Sequence, residues 1–424
     1  MTAGSAVPRG PQPQPRLTPG TRPVVERTRA GIEELFFDLV FVFAFLQVTK
    51  LVMDDFTALG MLDGLLVVAL LWWSWSCFAW LGNNVQADWG LPRIGVLAAT
   101  VVMLLLALAA GEAFTDRPGG LNGPLVFASS YLALRLIHLA VHAYAVTRKL
   151  RLLLVAVPAI IGSGLLFSAA LIPQHLVHQP QQIRLLRTGL WILAVLVDYV
   201  GSVALPHWEW GVFSARHWAE RHGQIIIIAL GESVIAIGLT AARVAVSIRP
   251  LATAALGILV VAAVQFLYFD VVALSGEQVV RDAAQPARLS LARDAYNYLH
   301  LVMIAAIVLL ALALKIVTLA TTTQTLGRPL TGLGLFSLYG AVVLYLAGNV
   351  GFQWRIRHGL RTIVWAKVVA IPALVILGLA AQHMPAMAAL GLLAAASVVL
   401  VIVEIVIADG QRKRLRGAVL SKEP

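Results

Sequence analysis

The chain has 424 residues, of which 59% are hydrophobic and 12% charged, and its mean hydropathy is +0.84. A soluble protein of this length carries about 25% charged residues in two or three domains, so the composition excludes a water-soluble globule and leaves a bilayer as the solvent. The net charge of +11 does not point to nucleic acid, because Lys and Arg sit between apolar runs instead of clustering with stacking aromatics on one face.

Residues 1–30 are rich in Pro, Gly and Arg and are predicted to form a disordered basic tail, since they cannot bury enough surface to offset chain entropy. They lack the short apolar core and small-residue cleavage site of a secretory signal. Beyond them, apolar stretches of about 20 residues recur, each long enough to cross ~30 Å of hydrocarbon. They fall at 33–53, 59–81, 93–113, 124–147, 150–172, 184–205, 218–242, 250–274, 297–320, 331–351, 361–381 and 385–407. Turn and charge signals separate them, among them Asp54-Asp55, Gly82-Asn83-Asn84, Pro118-Gly119-Gly120, Pro173 and Pro250. The expected fold is therefore all-α, a polytopic transmembrane helical bundle of about twelve spans. It divides into a first half at 31–205, a second half at 206–407 and a basic tail at 408–424.

With the N-terminus inside, Lys and Arg on the cytoplasmic side outnumber those on the other side by about three to one. The predicted location is the cell (cytoplasmic) membrane, with both termini cytoplasmic and lipid as the surrounding partner.

Twelve spans raise the question of a six-plus-six duplication. Residues 65–80 and 258–273 align without gaps, matching at Leu66 to Ala69. Tyr131-Leu132-Ala133 and Pro158 recur as Tyr345-Leu346-Ala347 and Pro372, and spans six and twelve each carry one acid, Asp198 and Glu404. Units of six spans preserve topology, so such halves are parallel.

Charges in hydrocarbon cost ~2.5–3.5 kcal/mol each on insertion scales, so each needs a reason. Glu34 and Asp38 are four residues apart and share one helix face; they either relay a proton or form a dipole-favoured acidic first turn. Arg221 and Glu232 are eleven residues apart, about three turns, which puts them on one face ~16 Å apart along the axis. Glu232 lies in the middle of an apolar run between Gly231 and Ser233, too short and too central to snorkel. It is read as functional, or else as half of a buried ion pair. Arg135, His138 and His142 form a single stripe, with Arg135 the natural partner of Glu232, Asp198 or Asp38. A metal is not expected there, because no acid or Cys follows on that face. In span nine, Asp294, Asn297 and His300 are expected on one face, where His300 either titrates or bonds a carbonyl. Lys315 and Lys367 are expected to snorkel, and Trp72 to Trp75 to pack.

Glu33 to Phe43, reading EELFFDLVFVF, resembles the opening signature of the bacterial low temperature requirement A family of multi-pass membrane proteins. Ala219-Glu220-Arg221-His222-Gly223 with Gly231-Glu232-Ser233 resembles its second signature, and Arg293 to His300 its third. The resemblance extends over about 33–407 and implies a membrane location, without a settled biochemical activity.

From the residues, the favoured function is a proton-coupled secondary transporter of a small solute. Its path would be lined by Glu34, Asp38, Arg135, His138, Asp198, Glu220, Arg221, His222, Glu232 and His300. No Gly-x-x-x-x-Gly-Lys-Ser/Thr loop is present to power an ATP-driven pump, and the single cysteine, Cys77, rules out an intrachain disulfide. No cofactor, metal or nucleic acid is expected. Major-facilitator transporters share twelve spans in parallel halves, but 82–92 lacks their Gly-x-x-x-Asp-Arg-Arg pattern. The rival readings are a non-catalytic membrane protein supporting growth in the cold, and a membrane-embedded enzyme using Glu220, Arg221 and His222.

Overall fold

The computed structural model describes residues 21–25, 28–145, 149–204, 211–322, 329–330, 332–356 and 361–420. The predicted disorder of residues 1–20 and the last four residues of the predicted basic tail lie outside the described residues. In chain order the helices are α1 (Ile32–Asp54), α2 (Ala58–Gly82), α3 (Gly90–Ala110), α4 (Gly123–Ala145), α5 (Lys149–Leu171), a single turn α6 (Pro173–Leu176), α7 (Pro180–Ala204), α8 (Ala215–Ala241) and α9 (Ile248–Phe269). They continue with α10 (Val272–Asp282), α11 (Gln285–Leu291), a π-helical segment (Ala292–Leu299), α12 (His300–Thr322), α13 (Leu333–Ile356), α14 (Arg361–Ala380) and α15 (Ala386–Leu420). Among the described residues the only β pairing is two isolated bridges.

Among the described residues, eleven helical segments are long and apolar enough to cross a membrane, by length and composition. α7 is not one of these, although it has 25 residues and stands where the sixth span is expected; Arg184, Arg187 and Asp198 dilute its apolar run. α4 and α5 are separate helices, as expected. The bilayer reading also accounts for the surface. Val101, Leu104, Leu105 and Leu108 of α3, and Ile376 and Leu379 of α14, are exposed at helical spacing, which in water would be costly apolar stripes. α2 lies at the centre, with 83% of its apolar window buried, against 22% for the window that includes most of α14.

The helices follow one packing order twice. α1 packs on α2 and α3, α3 on α4, α4 on α5, α5 on α7, and α7 returns to α2. α8 packs on α9 and α12, α12 on α13, α13 on α14, α14 on α15, and α15 returns to α9. The two sextets meet chiefly along α1 and α8, with further contacts from α12 to α1 and α2.

Three segments differ from the sequence reading. Thr21–Val25, placed in the disordered tail, docks on the turn after α2. Gln86 donates its backbone N–H to Arg22 O at 3.0 Å, the Arg22 guanidinium lies 3.6 Å from the Trp89 ring centroid, and Val24 is buried. Backbone pairing with a cation–π contact can hold a short segment that has no core of its own. Residues 275–296, left between the eighth and ninth predicted spans, are mostly helical (α10, α11 and the π segment). The reason is local: Arg288 is buried and donates to the carbonyls of Val212 and Arg281, so its charge anchors a helix instead of marking a solvated loop. Finally, α15 runs on to Leu420, through much of the segment read as a tail.

The bundle has two recognisable ends. The N-terminal end gathers Thr28, Asn83, Ser214 and Arg288. The distal end gathers Asp54 with Arg117, and Arg184 with Asp55 and Asp63.

Candidate functional site

The site grows from two helix starts. α1 begins after Gly31, whose N–H donates to Glu34 Oε2 at 2.9 Å, half of a capping box. α8 begins at Ser214, whose hydroxyl accepts the N–H of His217 at 3.1 Å and donates to Thr28 O at 2.9 Å. Asn83, just past α2, holds this start in place. Its Oδ1 accepts the N–H of Phe213 at 2.8 Å, and its Nδ2 lies 2.8 Å from Ser214 O and 3.0 Å from His217 Nδ1. With Nδ1 accepting from Asn83, His217 carries its proton on Nε2 and donates it to Glu34 Oε2 at 2.8 Å.

One turn further in, Arg221 joins both acids of α1. Its Nη1 is 2.6 Å from Glu34 Oε1, and its Nη2 is 2.7 Å from Asp38 Oδ1. The Trp75 indole of α2 donates to the same Asp38 oxygen at 2.7 Å. Glu34, Asp38 and Arg221 are all buried. The shared face of Glu34 and Asp38 is what allows one guanidinium to reach both. Space is tight: a Cβ on Gly82 would strike Glu34 Oε1 and sit 3.1 Å from its Cδ. Gly82, read from sequence as a turn signal, also keeps room for this carboxylate.

Beside the ion cluster lies an aromatic box. His222 donates Nδ1–H to Trp218 O at 2.8 Å, and its Nε2 has no partner. Its ring lies 4.9 Å from Trp75, 4.6 Å from Trp218, 4.9 Å from Tyr296 and 5.1 Å from His300, centroid to centroid. His300 donates Nδ1–H to Ala295 O at 3.1 Å and faces Tyr268 Oη at 2.8 Å. His300 follows directly on the π-helical segment Ala292–Leu299. That segment corrects the expected grouping: α-helical spacing placed Asp294 with Asn297 and His300, but the wider turn sends Asp294 outward to Arg293 and Arg355. π segments interrupt α-helices chiefly at functional positions.

Glu232 stands apart, about three turns deeper in α8. It is fully buried. Its Oε1 accepts the Thr49 hydroxyl of α1 at 2.9 Å, while its Oε2 has no hydrogen-bond partner. Thr49 is also 2.9 Å from Leu46 O. Thr49 lines a cleft of about 410 Å³ between α1 and α2 on one side and α12 and α13 on the other. The cleft wall is otherwise apolar and includes Met61, Leu62 and Phe336, residues near the distal ends of α2 and α13.

Two further buried clusters repeat a theme. In the first sextet Arg135 is paired with Asp198 at 3.4 Å and donates to Cys77 Sγ, while Tyr131 donates to the other Asp198 oxygen. Of the three partners considered for Arg135, Asp198 is the one realised. His138 lies on the same face, its ring 5.5 Å from Phe78. In the second sextet Lys367 is fully buried. It contacts Glu404 Oε1 at 3.0 Å and donates to Asn349 Oδ1 at 2.8 Å and Leu267 O at 3.2 Å. Lys367 therefore does not snorkel, because an acid on α15 meets it at depth.

Glu220 lies on the rim, bonded to Arg216 at 3.0 Å and to the Ala30 N–H at 3.2 Å. Glu220, Arg221 and His222 thus enter three different environments, as consecutive helical residues about 100° apart must, and form no common site. The structure brings Glu34, Asp38 and Arg221 together, with His222 and His300 adjacent; Arg135, His138 and Asp198 form a second group, and Glu232 a third. Sequence reasoning missed His217, Trp75 and Tyr268. His217 was legible as the third residue after the Ser214 cap, while Trp75 and Tyr268 depend on interhelical geometry.

The model of the bacterial low temperature requirement A protein matches residues 29–405. The uncharacterized protein RA0937 of Rhizobium meliloti (strain 1021) is 29% identical over 227 residues, covering 50% of this chain and 51% of that protein. The match thus spans about half the length of that relative. No solved structure matches. The three signature segments lie on α1, on α8 and on the π segment, and the family model covers nearly all of the helical bundle: the chain is a multi-pass membrane protein that belongs to the bacterial low temperature requirement A family.

Proposed function

We propose that this protein is a proton-coupled secondary transporter of a small solute in the cytoplasmic membrane. Its two parallel six-helix halves rock against each other along α1 and α8, and both termini are cytoplasmic. The observation that carries the reading is the asymmetry of that interface. At the N-terminal end, Arg221 of the second half clamps Glu34 and Asp38 of the first. Toward the distal end the halves part around a cleft whose wall includes Thr49, the donor to Glu232. One end held and the other parted is what alternate access between two halves requires. With α7 as the sixth span the total is twelve, and the repeated packing order of the two sextets supports the duplication.

Glu232 is the proton carrier in this scheme. Thr49 has one hydroxyl proton and two acceptors, Leu46 O and Glu232 Oε1. A protonated Glu232 leaves that proton to Leu46, and an ionised one draws it to the carboxylate. The cleft's apolar wall favours a solute with a hydrophobic body. The enzyme reading is weakened by the dispersal of Glu220, Arg221 and His222, and the purely supportive reading by a central carboxylate oxygen that no partner satisfies.

The test is reconstitution of the full chain in proteoliposomes, with luminal pH followed while small amphipathic solutes are presented. Wild-type protein is expected to move protons with at least one solute, and Glu232→Gln to abolish that movement while remaining monodisperse in detergent. Solute-dependent proton flux that survives Glu232→Gln would refute the role of Glu232. Failure of every solute to move protons would refute the transport reading.

A further inference from the structure

A second cavity, of about 110 Å³, lies away from the α1–α8 interface, between α2, α4, α5 and α7 and the segment around Leu289 and Asn297. Both halves of the chain contribute to its wall. Trp73 and Trp80 provide apolar ring surface, and Arg135 and His138 provide polar edges. A void on the order of 150 Å³ accepts benzene; this one is somewhat smaller but partly open, which suits a single ring or a short branched chain with its far end outside.

The hydrogen-bond inventory of the wall sets the chemistry. Both Asp198 oxygens are occupied, one by Tyr131 and one by Arg135. Donors remain over: Arg135 Nε reaches no acceptor, and Trp73 Nε1 beside Asp198 and the His138 ring beside the Cys77 backbone make no well-aligned hydrogen bond. All three residues are more than nine-tenths buried, so water does not freely satisfy them, and orphaned buried donors are costly. The Asn297 Oδ1 atom is the one orphaned side-chain oxygen on the wall. A surplus of donors around an arginine calls for a ligand rich in acceptors, and a carboxylate fits a guanidinium best.

We propose that this cavity binds a small monocarboxylate with an aromatic or branched body, the carboxylate held by Arg135, His138 and Trp73 and the body against Trp73 and Trp80. The site does not depend on the transport reading, because binding is measured without flux and Glu232 is not part of it. Cys77 lies on the same wall and is the chain's single cysteine, so it reports occupancy without background.

The experiment measures equilibrium binding of radiolabelled benzoate to the full chain in lipid nanodiscs, with benzamide as the neutral competitor. A parallel series follows the rate at which N-ethylmaleimide alkylates Cys77. Saturable benzoate binding is expected that benzamide displaces at least tenfold more weakly than benzoate itself. Trp73→Phe and His138→Phe, which keep bulk but remove donors, should each weaken binding about tenfold, and saturating benzoate should slow Cys77 alkylation. Absence of saturable binding, equal displacement by benzamide, or affinity unchanged in both variants would overturn the proposal. Binding that leaves Cys77 alkylation unaltered would place the carboxylate elsewhere and overturn it too.

Discussion

Arg221 offers the sharpest energetic test. It is buried and holds two carboxylates at 2.6 and 2.7 Å. Arg221→Met removes the cation and keeps most of the volume. Glu34 then retains the Gly31 N–H and His217, so its loss is partial. Asp38 retains only the Trp75 indole on one oxygen and nothing on the other, so it carries most of the cost. Breaking a buried pair by removing one partner costs about 3–5 kcal/mol. The two carboxylates share one cation, so the losses do not add to twice that figure. The triple variant Glu34→Gln, Asp38→Asn, Arg221→Met removes all three charges and is expected to recover at least half of the loss, because replacing a whole buried ion set is often near neutral. The assay is SDS-induced unfolding of the purified chain in mixed micelles, followed by tryptophan fluorescence. A loss below about 1 kcal/mol in the single variant, the range of an exposed pair, would refute the view that this cluster clamps the two halves. So would a triple variant no more stable than the single one.

Two other substitutions probe the same packing. Gly82→Ala puts a methyl where Glu34 Oε1 sits; as Glu34 is tethered by Gly31, His217 and Arg221, the variant should lose about 1–3 kcal/mol, the usual cost of overpacking, while Gly231→Ala, where a Cβ meets nothing within 4 Å, should lose less in the same assay. Lys367→Met removes the cation that meets Glu404 at depth and should reduce the yield of folded protein in detergent size-exclusion profiles, whereas Lys367→Met with Glu404→Leu should restore it; equal yields would mean that the pair at 3.0 Å carries no structural role.

The helical architecture was legible because hydrocarbon imposes a length and a composition on every span. The span boundaries mostly agree with the observed helices to within a few residues, and the α7 segment was found from its apolar run despite Arg184 and Arg187. The charges were harder to read. That Glu34 and Asp38 share a face followed from spacing, but that Arg221 joins them depends on α1 meeting α8, which no local pattern encodes. Lys367 was misread because a long side chain in a span can either reach an interface or find an acid, and the acid lies on a different helix. His300 was assigned its face with α-helical periodicity, and the π-helical turn took Asp294 off that face. Thr21–Val25 was misread because composition describes the tail as a whole, while the bridge to Val85 and the Arg22–Trp89 contact act on a few residues.

The duplication we propose sharpens the meaning of the two buried acid clusters. Tyr131 and Tyr345 occupy corresponding places, as do Arg135 and Asn349, all with one offset along the chain. Asp198 and Glu404 lie on the last long helix of each sextet. In the first sextet the neutralising cation comes from the fourth long helix, and in the second it comes from the fifth, with Asn349 accepting from it. What the two halves share is a neutralised acid at that depth, and the helix that supplies the cation is free to change. The difference between them is then informative. Lys367 spends its donors on Glu404, Asn349 and Leu267, whereas Arg135 keeps Nε without an acceptor at the wall of a cavity. A structural requirement alone explains the second cluster and leaves the first with a donor to spare, which is why a ligand is assigned to the Arg135 side and not to Lys367.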